Sequence, residues 1–236
     1  MKILALDSSA IAASAAVFDA DRLLAEYTLN NGNTHSETLL PMVESVLKSL
    51  SLKISDIDIF AVSAGPGSFT GVRIGAATLK GLAFGSERPC VEVSTLEALA
   101  YNLVGQKGLI CPVMNARRSQ VYTALFRSDG QELYRLMEDS AMAISELDEL
   151  LSEYGEVVAF TGDGYDVTLP ALAKTSAAHT PKRLRHQSAS SVAAVALKKY
   201  TSGEYSNDRA LKVNYLRPSQ AERELMNKNK EKEEKI

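Results

Sequence analysis

The chain has 236 residues, 45% hydrophobic and 23% charged, with a net charge of −3 at pH 7, which suits one large or two modest domains with an ordinary core. That charge balance excludes a chain built to coat nucleic acid, which would present a strong basic field. Two cysteines exclude a disulfide framework, and the absence of any run of about 18 apolar residues excludes a membrane-spanning helix.

Lys2 precedes an apolar, Ala-rich stretch of the kind that opens a signal peptide, but Asp7 interrupts it with a charge. The start therefore reads as mature structure of a cytoplasmic protein. Residues 3–7 form a buried strand that ends in an acid and two serines, and residues 13–18 and 22–29 form two more strands around a tight turn at 19–21. A polar break at 30–34 leads to a helix over about 36–50. A strand at 57–63 is broken by Gly65-Pro66-Gly67, and a helix over about 71–84, a strand at 90–93 and a helix over 95–104 follow.

The same order then repeats. An apolar strand at 109–114 ends in Asn115, where the first half has Asp7. Phe18 and Phe126 follow these two residues at one spacing, and Asp21 and Asp129 at another. A short helix over 144–151, a strand at 157–161 running into Gly162-Asp163-Gly164, and a helix over 189–200 complete the second half. Two related α/β halves around mixed sheets follow, divided as 1–106 and 107–218, with a solvated Lys/Glu-rich tail over 219–236. This is the plan of the duplicated actin-like (ribonuclease H-like) superfamily.

In that superfamily, turns after the first strand of each half grip phosphate. Asp7-Ser8-Ser9 is either such a turn, with an acid able to order Mg²⁺, or an Asx-turn closing a strand. Asn115-Ala116-Arg117-Arg118 has neither acid nor glycine, so the pair makes a poor nucleotide hydrolase. Gly65-Pro66-Gly67-Ser68-Phe69-Thr70-Gly71 joins a strand to a helix with Ser68 or Thr70 as cap. It lacks the Lys-Ser/Thr of a P-loop and the spacing of a GxGxxG fingerprint, and reads as a tight structural turn. His35, His179 and His186 share no helical face, so zinc motifs and a metallopeptidase are unsupported. Arg117 and Arg118, with Lys182, Arg183 and Arg185, read as solvated basic clusters.

The two N-terminal helices carry a surplus of apolar side chains. On the first, Leu39, Met42, Val43 and Val46 belong to an arc wider than the roughly 100° of one buried face. On the second, Val72, Gly75, Ala76 and Leu79 belong to a surface apolar or small nearly all round, with Arg73 and Lys80 its only charges. Gly71, Gly75 and Thr78 line a side that a second helix could approach closely. These nine positions, Leu39, Met42, Val43, Val46, Val72, Arg73, Gly75, Ala76 and Leu79, are the expected interface with another polypeptide. Val46→Glu or Leu39→Glu should then leave a folded monomer that no longer binds its partner.

The run from Ile3 to Ser9, the run Ser63-Ala64-Gly65-Pro66-Gly67-Ser68-Phe69-Thr70-Gly71-Val72-Arg73-Ile74-Gly75, Gly162-Asp163-Gly164 and Tyr215-Leu216-Arg217 together resemble the TsaB (YeaZ) family. The resemblance implies an actin-like, non-catalytic subunit of the complex that forms N6-threonylcarbamoyladenosine in tRNAs reading codons that begin with A. It implies binding and support of the transferase TsaD through the first two helices, with a TsaE-like ATPase joining them; a homodimer through the same helices is expected in isolation, because their apolar surplus would stay uncovered. Contact with tRNA is then indirect. Ser94-Thr95-Leu96-Glu97-Ala98 stands where TsaD carries its metal-binding HxxxH pair, so neither catalysis by this chain alone nor a resident metal or cofactor is expected, a nucleotide at the partner interface being left open. The alternative is an actin-like ATPase or phosphotransferase using Asp7.

Overall fold

A computed structural model describes residues 1–217; the charged tail expected over 219–236 lies outside them. Burial sorts the strands of the first half. β1 (Lys2–Asp7), β2 (Ala13–Asp19) and β4 (Ile59–Ser63) are buried along nearly their whole length, as strands covered on both faces must be, while β3 (Arg22–Leu29) is more exposed at an edge. With β5 (Cys90–Val93) they form a sheet in the order β3-β2-β1-β4-β5. Ile3 lies opposite Phe18 on antiparallel β2 and beside Ile59 on parallel β4.

The second half repeats the plan with β6 (Gly108–Asn115), β7 (Gln120–Ser128), β8 (Leu133–Ala143), β9 (Val158–Thr161) and β10 (Ala177–Ala178). Their order is β8-β7-β6-β9-β10, with antiparallel and parallel neighbours in the same places. Two sheets of identical connectivity make this a duplicated actin-like α/β fold.

Helices cover both faces of each sheet. α1 (His35–Ser49) and α2 (Phe69–Ala83) lie on one face of the first sheet. α4 (Ile144–Ser152) and α5 (Tyr165–Thr168) lie on one face of the second. Between the sheets, α3 (Thr95–Tyr101) and α6 (Ala189–Thr201) touch each other. Here the chain crosses over. α6 sets Ala189, Val192 and Ala193 against Ile3, Ala5 and Ile59 of the first sheet, and α3 sets Leu96 and Leu99 against Ile110 and Phe126 of the second. The position 106/107 therefore separates the sheets but not the helices that close them.

Most of the apolar surplus of α1 and α2 is consumed inside the molecule, which corrects the expected interface. Leu39, Met42, Val43 and Val46 are 1 to 2% exposed, Val72 and Leu79 no more than 1%, and Ala76 7%; Gly75 is buried as well. Except for Val72 and Gly75, they share one core with Leu4, Leu6, Val17, Phe60 and Val62. Of the nine positions only Arg73 is exposed. The wide arcs have three neighbours to satisfy, because α1 and α2 pack on the sheet, on each other, and under a returning segment that adds Leu211 and Val213 to the same core. Of the two apolar arcs, Leu40 and Ala77 do face outward, beside Gly81, with Phe84 just past the helix.

Cys90 and Cys111 are buried and unpaired. Burial pushes their thiols up to about 11 and about 12, so both act as small hydrophobes. No helix among the described residues is long and apolar enough to cross a membrane.

Candidate functional site

The ends of β1 and β6 open onto a cleft of about 860 Å³ between the halves. On the first side, the chain leaves β1 through Asp7, which is fully buried. Its Oδ1 accepts bonds from Ser9 N at 2.8 Å and Ser9 Oγ at 2.7 Å, and its Oδ2 accepts one from Ser63 Oγ. This is an Asx-turn. Burial raises the Asp7 carboxyl above its ordinary value of 3.8, against the lowering pull of the Ser63 and Ser9 bonds and of His35.

The glycines of the following loop and of α2 explain why that acid is sealed. Gly67, Gly71 and Gly75 recur every fourth residue and present one bare stripe to the Ser8-Ser9 turn. A Cβ at Gly67 would stand 2.4 Å from the Ser9 carbonyl oxygen, and one at Gly71 would stand 2.1 Å from that of Ser8. At Gly75 it would meet Ser8 Oγ at 2.7 Å. Ser68 N donates to Ser9 O at 2.6 Å, Ser8 Oγ donates to Gly71 O at 2.9 Å, and Ser68 caps α2 by accepting from Gly71 N. The stripe therefore receives the β1 turn, not a second helix. Main chain thus closes over the Ser8 and Ser9 carbonyls, while Ser9, Ala10 and Ile11 line the cleft.

On the second side, register corrects the matched spacings. Phe126 lies opposite Ile110, one residue further from Asn115 than Ile3 is from Asp7. A one-residue slip changes faces. Asp7 shares the face of Ile3 and Ala5, which looks towards α6, whereas Asn115 alternates with Leu109, Cys111 and Val113 towards α4. Met114 is the true counterpart of Asp7. The acid of this half is Asp163, just beyond β9, whose Oδ1 accepts from Asn115 N at 3.3 Å and whose carboxyl burial raises above its ordinary value. Arg117, Arg118 and Ser119 run consecutively in the left-handed region, with φ of 64°, 54° and 55°.

The rim is aromatic and cationic. Arg73 stacks over the Phe69 ring at 3.8 Å, and its Nε donates to Tyr215 Oη at 2.8 Å. Arg217 crosses to the second half, donating to Gln120 and lying 5.7 Å from the centroid of Tyr122. Tyr215, Arg217 and Tyr122 carried no periodic signal; only the short Tyr215-Leu216-Arg217 match pointed here. Arg185, expected on a solvated face, is buried over the Tyr165 ring at 3.4 Å, with Nε donating to Thr180 O.

Ser94 and Glu97 are likewise committed to structure. Ser94 caps α3 and donates to Asp139 at 2.6 Å, and Glu97 pairs with Arg135 at 3.1 Å. Among the described residues no three His, Cys, Asp or Glu side chains cluster to hold a metal ion.

The raised Asp7 pKa carries a sign. The folded state holds the proton more tightly than the unfolded one, so the stability Asp7 contributes is complete below about pH 3.8 and is lost as pH rises through the folded pKa. Asp7→Asn still accepts from Ser9 and donates to Ser63. Its melting temperature at about pH 7 is expected to equal or exceed that of the parent, and the advantage should vanish near pH 4. Thermal melts at the two pH values check this; an Asn variant that melts several degrees lower only at neutral pH contradicts it.

The family model for TsaD, tRNA N6-adenosine threonylcarbamoyltransferase, matches residues 22–230. The Bacillus subtilis tRNA threonylcarbamoyladenosine biosynthesis protein TsaB is 37% identical over 162 residues, 69% of this chain and 71% of that one. The Escherichia coli protein of the same name is 34% identical over 149 residues, 62% of this chain and 64% of that one. The matched part thus spans about two thirds of these relatives. A crystal structure from Pseudomonas aeruginosa, described as an uncharacterized protein with similarity to peptidase YEAZ, superposes with a TM-score of 0.78 at 26% identity, covering 92% of this chain and 99% of that one. A second, YeaZ from Pseudomonas aeruginosa, shares the fold with a TM-score of 0.75 at 24% identity, over 91% and 99%.

Proposed function

Because the chain belongs to the TsaB (YeaZ) family, we propose that it is the non-catalytic subunit that binds and supports a TsaD-like transferase in forming N6-threonylcarbamoyladenosine on tRNA in the cytoplasm. One observation supports the non-catalytic half of this reading: the acid at the turn after β1, which an actin-like ATPase would use, is sealed within its own protein. Gly67 and Gly71 press against the Ser8 and Ser9 carbonyls, and Asp7 is spent on Ser9 and Ser63. An ATPase working through Asp7 would need that acid open to the cleft, and it is 0% exposed. A nucleotide, if the complex uses one, would sit where this chain meets its partner.

The buried arc of α1 and α2 cannot dock a partner, so the contact falls on their outward strip. Leu40 is 45% exposed and Phe84 77% exposed. Ala77 is exposed, and Gly81 has open space where a Cβ would stand. Small residues on an outer helix face let another helix approach closely. Left uncovered, the same strip would support a homodimer. A TsaE-like ATPase would join the assembled pair.

Ala77→Glu is the direct test, because it puts a charge on the strip without touching the core. The variant is expected to melt within a degree or two of the parent and to lose co-elution with the TsaD-like protein in size-exclusion chromatography. Unchanged co-elution sinks the docking face, and steady ATP turnover by the pure chain, lost in Asp7→Ala, would favour the enzyme instead.

A further inference from the structure

Segment 211–217 is held on α2 by contacts that no local sequence rule requires. Leu211 enters the core beneath α1 and α2, Asn214 N donates to Ala64 O at 2.7 Å, and Asn214 O sits where a Cβ on Gly65 would be, at 2.3 Å. The chain thus crosses directly above the loop that starts α2. Tyr215 then meets the helix itself. Its ring lies 4.6 Å from that of Phe69, and its hydroxyl accepts the Nε–H of Arg73. The guanidinium is held from two sides, over Phe69 at 3.8 Å and beside Tyr215 at 5.6 Å.

This clamp leaves a particular group presented. With Nε occupied, the two terminal nitrogens of Arg73 remain as a fork, and no carboxylate among the described residues lies within salt-bridge distance. Arg73 is exposed on the same side of α2 as Ala77 and Gly81. A free arginine loses much side-chain entropy on binding, whereas a stacked and hydrogen-bonded one has already lost it, so its contacts yield more affinity. A planar fork of this kind fits a carboxylate in bidentate geometry.

We infer that Arg73 takes an acidic side chain of the TsaD-like partner, and that Tyr215 is the positioning residue that aims it. This rests on the docking reading above and makes the C-terminal segment part of that face.

The test measures affinity of the full chain for the TsaD-like protein by calorimetry at two salt concentrations, with thermal melts as a check on folding. Arg73→Ala and Tyr215→Ala are each expected to weaken binding about tenfold or more. The double variant should be little worse than either single one, because the two act as a unit. Arg73→Lys should not restore affinity, since an ammonium lacks the fork. Tyr215→Phe, which keeps the ring and loses the hydroxyl, should fall between parent and Tyr215→Ala. The salt dependence of binding should shrink in Arg73→Ala and Tyr215→Ala alike, a change that loss of packing alone would not produce. If the parent binds and these variants bind equally well, the inference fails while the docking reading stands. If the parent does not bind at all, both fall together.

Discussion

Val46→Glu is expected to abolish the folded monomer, not merely its association with another chain. Val46 is 2% exposed and packs in the core beneath α1 with Leu4, Leu6 and Phe60. Glutamate there must either keep its charge in an apolar core with no cation among the core residues, or take up a proton at the cost of a strongly raised pKa. Either way the longer side chain also overfills a packed site. A loss of more than about 4 kcal/mol follows, a large part of the total stability of a typical domain. Circular dichroism and the soluble yield report it. Leu39→Glu, at 1% exposure, should behave in the same way, whereas Ala77→Glu on the outward side of the neighbouring helix should not. A soluble, fully folded Val46→Glu would mean that α1 does not pack as described.

Gly71→Ala is the second large effect, and the same helix supplies its control. The added methyl would stand 2.1 Å from the Ser8 carbonyl oxygen, far inside contact distance, and neither the carbonyl nor a methyl fixed to the helix backbone can rotate away. Relief requires α2 to lift off the turn after β1, breaking the Ser68 N to Ser9 O bond and loosening the Asp7 enclosure with it. About 3 kcal/mol or more should be lost. Gly81→Ala lies further along α2 with open space around the new methyl. There the ordinary helix preference applies, and a gain of about 0.5–1 kcal/mol is expected. Opposite signs for one substitution on one helix, read from denaturant unfolding, identify close approach as the reason for the glycine stripe. Equal signs would remove it.

The strands at 22–29 and 90–93, the short helix start at 144 and the duplicated order of elements were legible because each rests on local alternation, turn residues or apolar runs. The Ser68 cap was legible for the same reason. The match between Asp7 and Asn115 misled because spacing along a chain carries no register. Pairing across the sheet shifted it by one residue, and one residue is a change of face.

The α/β class, the repeat and the family likeness were all readable in advance, since each resides in residue types and short spacings. Which apolar residues are spent was settled by packing between distant parts of the chain. Periodicity measures how wide an oily arc is, but not how many neighbours surround it, and here a sheet, a sister helix and a segment returning from more than a hundred residues away all close on α1 and α2. The same long-range return brought Tyr215 to Arg73. Contacts between residues so far apart depend on the path of the whole chain, and no window of sequence contains that path.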